Sequence, residues 1–299
     1  MKTKIYIFIK AFTLLVLSFQ VLAWTDTRNF NFGNDGDTAY DANAGFNDLA
    51  GASKIVKRGN GTPTLEGFSA AEINIRQGET GYGSWGGSMF FPEYIHRGEE
   101  LWLQFYVYIP EDYVINTATG YLSLLRLRNI IASPDKTKKA TGFLDIMFQN
   151  QDSTRGTFAV LKQGESSVKR IGNSASQPIP RDQWVKLELY VHADSVPQSK
   201  GGQGIVRLWM DDELVGEVSD IVTLGMANLN TKEQYEDGYF TRVMFFSYWF
   251  GGAPKTQKLY MDHVFMTNDA NVPEYRDAQG HLFLGKRLAR PVMVAVQAD

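Results

Sequence analysis

There is no cysteine among the 299 residues. No disulfide can hold this chain, and no thiolate serves it as nucleophile or metal ligand. Positive charge is short as well: 30 Lys and Arg stand against 33 Asp and Glu, a formal net charge of −3. That sign argues against general binding to nucleic acid or to an anionic membrane surface. His is scarce, with four in all, and without cysteine beside them a zinc site is not expected. There is no His-Glu-x-x-His, no Gly-x-Ser-x-Gly and no phosphate-binding loop, so the chemistries that need those spacings have no footing. No cofactor is expected. No long window shows the helical i, i+3, i+4, i+7 spacing either.

One apolar run is present, and it lies at the start. Met1-Lys2-Thr3-Lys4 carries two positive charges, an apolar stretch runs from Ile5 to Leu22, and Val21-Leu22-Ala23 puts small residues where a signal peptidase reads. That is the pattern of a secretory signal peptide. Lys10 splits the run and leaves it too short to span a membrane comfortably. Cleavage is expected after Ala23, with Trp24 first in the mature protein. A secreted or periplasmic location and no membrane span in the mature chain follow. The leader holds Lys2, Lys4 and Lys10 and no acid, so the rest carries 27 basic against 33 acidic residues, net −6. Residues 24–299 fit one domain, long enough to fold on its core alone.

What fills that length is short alternating runs separated by Gly, Asn, Asp and Pro. Strands are expected at 71–76, 87–91, 101–109, 122–128, 142–149, 157–162, 184–192, 205–210, 213–218, 241–249 and 258–266. So many strands at such spacing predict an all-β fold, a two-sheet antiparallel sandwich or barrel. Asp211-Asp212 reads as a tight hairpin turn, residues 195–204 as a loop, and 224–236 as one short helix. Asn34-Asp35-Gly36-Asp37 looks like part of a calcium loop without its later acidic ligand, and reads as a surface turn.

Each strand splits into two faces. In 101–109, Leu101, Leu103, Phe105, Val107 and Ile109 oppose Trp102, Gln104, Tyr106 and Tyr108. In 184–192, Val185, Leu187, Leu189 and Val191 oppose Lys186, Glu188, Tyr190 and His192. Arg207 and Trp209 oppose Val206 and Leu208, and Arg126 and Arg128 oppose Leu125 and Leu127. The second face is rich in Trp, Tyr, Arg and Gln. Two readings stay open: a groove that stacks aromatic planes on sugar rings and bonds their hydroxyls, or a second core beneath a covering segment.

Gly83-Ser84-Trp85-Gly86-Gly87 through to Tyr108-Ile109-Pro110 resembles the entry strands of concanavalin A-like jelly-roll polysaccharide lyases of the alginate- and glucuronan-lyase type. Trp184-Val185-Lys186-Leu187-Glu188, followed by 206–215, resembles that superfamily's strand–loop–strand. Phe246-Ser247-Tyr248-Trp249-Phe250-Gly251-Gly252, followed by 259–266, resembles its closing strand pair. The likeness covers roughly 71–267. It implies a concanavalin A-like jelly roll, carbohydrate as partner and, on the lyase branch, cleavage of an acidic polysaccharide. Lectin-like modules share the scaffold, so a non-catalytic carbohydrate-binding module is the alternative. Where alginate-lyase-like members place Gln-x-His, this chain reads Arg126-Leu127-Arg128, without the His. Tyr248 sits where those members use a Tyr.

A lyase must remove the C5 proton of a uronic acid while a cationic or amide group neutralises the adjacent carboxylate. The candidate catalytic set is Arg126 and Arg128 as neutralisers, Tyr248 or Tyr190 as base, and His192 in reserve. Within the chain, Asp145 and Glu188 are the acids that could instead balance the arginines. The candidate substrate-binding set is Trp102, Gln104, Tyr106, Glu188, Arg207, Trp209 and Lys255. A retaining glycosidase would need paired carboxylates on one strand face, and that pattern is absent.

Overall fold

The computed structural model describes residues 22–285, apart from 41–45, 47–50, 60, 66, 82–83, 116–120, 134–136, 138, 151–155, 163–167, 173–178, 198–199 and 226–236. The expected leader falls almost entirely outside the described residues, as does most of the expected helix over 224–236.

The rest is β structure in two antiparallel sheets. The first contains β1 (Thr25–Arg28), β2 (Ser53–Lys57), β3 (Ser69–Ile75), β5 (Glu100–Tyr108), β10 (Trp184–His192), β11 (Gly204–Met210), β12 (Glu213–Ile221) and β14 (Gln257–Thr267). Its order is β12-β11-β10-β5-β14-β3-β2, with β1 on β14. The second contains β4 (Gly87–His96), β6 (Tyr121–Ala132), β7 (Lys139–Asn150), β8 (Gly156–Lys162), β9 (Lys169–Arg170) and β13 (Asp237–Phe250), in the order β4-β13-β6-β7-β8-β9. A two-stranded ribbon, β15 (Tyr275–Arg276) and β16 (Leu282–Phe283), follows. All eleven expected strands are present, and the fold is the jelly roll that the alternation and the resemblance imply.

The apolar face of each strand feeds the space between the sheets. Leu103, Phe105 and Val107 of β5 and Leu187 and Leu189 of β10 meet Leu125 and Leu127 of β6 and Val243 and Phe245 of β13 in one buried cluster. Phe105 meets Phe245 edge-on, with centroids 5.3 Å apart. A bulge in β13 interrupts the alternation between Phe245 and Tyr248. Phe246 takes φ 49° there and turns into the core, 6.2 Å from Phe105. Gly86 makes this possible: a Cβ on it would lie 2.3 Å from the Phe245 carbonyl oxygen. The Asp211–Asp212 turn forms as expected. Met210 pairs with Glu213 across it, and both aspartates have positive φ, 48° and 75°, the geometry that matches strand twist. Asn34–Asp37 is a turn whose carboxylates are spent on backbone amides: Asp37 accepts from Asn34 N at 2.7 Å and Asp35 from Lys57 N at 2.9 Å.

The outer face of the first sheet corrects the groove expected there. The segment from Val272 through β16 to Gly285 lies across it, and Phe283 and Leu284 form a second buried cluster with Trp102, Tyr190, Trp209 and Phe265. Trp209 stacks on Phe283 at 6.0 Å and donates its indole N–H to Asp277 at 2.9 Å. Gln104 donates to the Gly285 carbonyl at 2.5 Å, and Glu188 accepts the Leu284 amide. Trp102, Gln104, Glu188 and Trp209 therefore face the chain's own segment and not a sugar. The physical reason is area: four aromatic rings on one face are buried more favourably against apolar side chains than left in water. Tyr106 is also buried, 6.1 Å from His263.

Candidate active site

The outer face of the second sheet carries charge and aromatic rings together. Arg126 on β6 lies directly across from Asp145 on β7. Its Nε donates to Asp145 Oδ1 at 2.5 Å, and both residues are 3% exposed. The Arg126 guanidinium also sits 4.0 Å from the Phe143 ring centroid and 5.0 Å from that of Tyr248. Burial pushes the Asp145 carboxyl above its ordinary value, with Arg126 opposing. The acid weighed in the sequence as a balancing partner is thus the one that Arg126 has. Glu188 lies on the other sheet.

Tyr121, at the start of β6, stacks on Phe250 at 5.2 Å and 3° and lies 6.5 Å from Tyr248. Burial, then Asp145 and Tyr248, push its hydroxyl up to about 12, with Arg126 opposing. It is a protonated donor at neutral pH.

One alternation further along β6, Arg128 lies directly across from Arg242 on β13. Arg242 sits 4.8 Å over the Phe90 ring, and its Nε is buried without a hydrogen-bond partner. Burial and the neighbouring Arg128 both lower its pKa. Among the described residues neither Arg128 nor Arg242 has a carboxylate partner. Two adjacent guanidinium groups repel each other, and a buried unpaired N–H costs free energy. The arrangement is one that a bound anion would relieve.

Aromatic rings flank the arginines along the strands. Tyr94 stacks on Tyr239 at 4.8 Å and 11°, and Phe90, Tyr94 and Phe250 are each about half exposed. Tyr121 pairs with Phe250 and Ile130 with Tyr239, so this face runs for about 30 Å along β6. Among the described residues no three His, Asp or Glu side chains come together to hold a metal ion.

Of the residues singled out in the sequence, Arg126, Arg128 and Tyr248 share this face. The others do not. Tyr190 is on the first sheet, where its hydroxyl donates to Glu100 at 2.5 Å and burial, then Glu100, raise its pKa. Neighbouring His192 is half-buried and pairs in register with Glu100 and Ile205. Arg207 is ion-paired with Glu217 and lies 4.9 Å over the Tyr190 ring. Lys255 is held by Asp112 at 2.9 Å. Arg242, Phe90 and Tyr121 were missed. A charged residue inside the apolar run 241–249 was a visible signal for Arg242, but its weight depends on which strand lies beside it.

The sequence profile of the family described as polysaccharide lyase matches residues 23–265. The chain belongs to that family. No curated protein matches it. Among solved structures, the alginate lyase Aly36B superposes with a TM-score of 0.53 at 14% identity, covering 81% of this chain and 96% of that one. A variant of that enzyme in complex with an alginate trisaccharide gives 0.51 at 13% identity, covering 81% and 97%. An endo-β-1,4-glucuronan lyase from the fungus Trichoderma reesei gives 0.44 at 13%, covering 82% and 95%. At these identities the two superpositions above 0.5 speak for the jelly-roll fold alone. The family match stops at residue 265, so the covering segment, 272–285, lies beyond it.

Proposed function

We propose that the protein cleaves an acidic polysaccharide by β-elimination at a uronic acid, on the outer face of the second sheet. The observation that carries this reading is the Arg128–Arg242 pair, adjacent, half-buried and without a carboxylate among the described residues. A guanidinium binds a carboxylate through two parallel hydrogen bonds, and a glycan with a carboxylate on each sugar supplies the missing counter-charge. Neutralising that carboxylate makes the C5 proton removable. The Tyr248 oxygen, acting as a phenolate, takes this proton and gives it up to solvent before the next turnover. The C5–H electrons form a C4=C5 double bond, the C4–O bond breaks, and the Tyr121 hydroxyl returns a proton to the departing oxygen. The product carries an unsaturated uronate at its new non-reducing end.

Polymers of mannuronate, guluronate and glucuronate, each incubated with the protein, test the reading through the ultraviolet absorbance of the unsaturated product. New absorbance with at least one polymer, lost in Arg242→Ala, is expected. One observation favours the rival of a binding module: Arg126, the guanidinium nearest Tyr248, is already occupied by Asp145. Uronate binding without unsaturated product would establish the module and end the lyase reading. We also propose export, supported by the charged, apolar and small-residue order of residues 1–23. N-terminal sequencing of the exported protein should begin at Trp24, and a cytoplasmic protein retaining Met1 would refute it.

A further inference from the structure

On the opposite side of the sandwich, the first sheet carries a cavity of about 510 Å³ that the proposed reaction does not use. Along it the register sets a row of side chains across four strands. Trp184 of β10 lies opposite Tyr108 of β5, Tyr108 opposite Tyr260 of β14, and Tyr260 opposite Glu72 of β3. The rings meet edge to face, Trp184 with Tyr108 at 5.8 Å and Tyr108 with Tyr260 at 5.9 Å. Tyr108 and Tyr260 line the cavity together with Asn74, Asp112, Asp182 and Lys258.

The charges here have the opposite sense to those on the arginine face. Lys255 is engaged by Asp112 at 2.9 Å and Lys258 by Glu72 at 2.8 Å. Asp182 has no cation among the described residues. Its Oδ1 accepts the Glu111 amide at 3.0 Å and the Tyr108 hydroxyl at 3.3 Å. It is held at φ 50°, a conformation that costs a non-glycine residue free energy and tends to occur at ligand sites. Three carboxylates against two ammonium groups leave this cavity negative, so a polyuronate is repelled from it.

We propose that this cavity is a second carbohydrate site, which takes a neutral, hydroxyl-rich sugar. Aromatic rings offer apolar surface to the C–H faces of a pyranose. Carboxylate and amide groups at their edges accept from and donate to its hydroxyls. The volume falls within the range of small-ligand pockets. The two faces of the sandwich then hold glycans of different charge, and the protein can stay attached to a neutral polymer while an acidic one occupies the arginine face.

Calorimetric titration of the intact protein with neutral gluco-oligosaccharides of β-1,4, β-1,3 and α-1,4 linkage tests this, with oligouronates titrated in parallel. At least one neutral series should bind, with an affinity unchanged by salt. Arg242→Ala should leave that binding intact while weakening uronate binding by about tenfold to a hundredfold, so this inference and the proposed reaction fail separately. Tyr108→Ala should abolish neutral binding. Asp182→Asn keeps the acceptor for Glu111 and a residue type that tolerates positive φ, and should weaken neutral binding at least several-fold. If Tyr108→Ala does not fold, Asp182→Asn decides. The proposal is overturned if no neutral oligosaccharide binds, if Arg242→Ala removes neutral binding, or if Asp182→Asn leaves it unchanged.

Discussion

At the scale of single residues, Arg126 and Arg242 look alike in sequence and have opposite roles in energy. Arg126 is matched to Asp145 and both are buried. Removing either leaves a buried charge alone, which costs roughly 3–5 kcal/mol. Arg126→Ala and Asp145→Asn should each lower the melting temperature clearly in calorimetry. Arg242 has no such partner and stands beside Arg128. Arg242→Ala should leave stability unchanged or raised, and should weaken uronate binding by about tenfold to a hundredfold, the worth of a lost charge-assisted hydrogen bond. Arg242→Lys should recover little of it, because an ammonium cannot form the bidentate contact. Tyr248→Phe should reduce kcat by two or more orders of magnitude with KM little changed, since only the proton-transferring hydroxyl is lost. Steady-state kinetics on the best uronate decides this. A parallel fall in affinity would make Tyr248 a binding residue. The alternation made Arg126 and Arg128 readable, and the family resemblance pointed to Tyr248, which lies past a bulge that breaks the alternation. Nothing periodic in a sequence tells that Arg242 will land beside Arg128, because that depends on β13 pairing with β6 across more than a hundred residues.

The elements show the same division. Strands were readable because one face of each must be apolar to build the core, and the Asp211–Asp212 turn because two runs met across two turn-forming residues. What could not be read was the cover over the outer face of the first sheet. Residues 272–285 are rich in turn formers and form only two short strands, yet Phe283 and Leu284 are what turn a row of exposed aromatics into a core. Truncation before Val272 should therefore expose Trp102, Tyr190, Trp209 and Phe265 as one apolar patch. Strong binding of a hydrophobic dye and loss of solubility are the expected readouts. A soluble, dye-silent truncate would mean that the face tolerates water. The hairpin offers a finer test. Asp212→Gly removes the cost of φ 75° but also removes the partner of Lys186, whose side chain is 2% exposed. The second effect is the larger, and the variant should lose about 1–3 kcal/mol in chemical denaturation.

For the molecule as a whole, the cover links stability to pH through Glu188. Burial raises its carboxyl from 4.5 to about 7; the Leu284 amide, Lys186 and Gln104 oppose this, and Asp212 adds to it. The folded protein thus holds a proton that the unfolded chain releases near 4.5. The associated stability is complete below that value, falls as pH rises, and is gone above about 7, a swing on the order of 3 kcal/mol. Glu188→Gln should remove this slope, so melting curves of variant and parent should diverge as pH increases from 5 to 8. Parallel curves would mean that Glu188 is ionised throughout. The place of β14 has a consequence in time. It lies between β5 and β3 and also receives β1, so that Thr25 pairs with Thr267. Until residues 257–267 emerge from the ribosome, the first sheet exists only as separate halves that cannot join. Contacts so distant in sequence make folding slow, on the order of milliseconds to seconds. The chain must therefore stay loose through nearly all of its synthesis, the condition in which a polypeptide can still be threaded through a translocation pore.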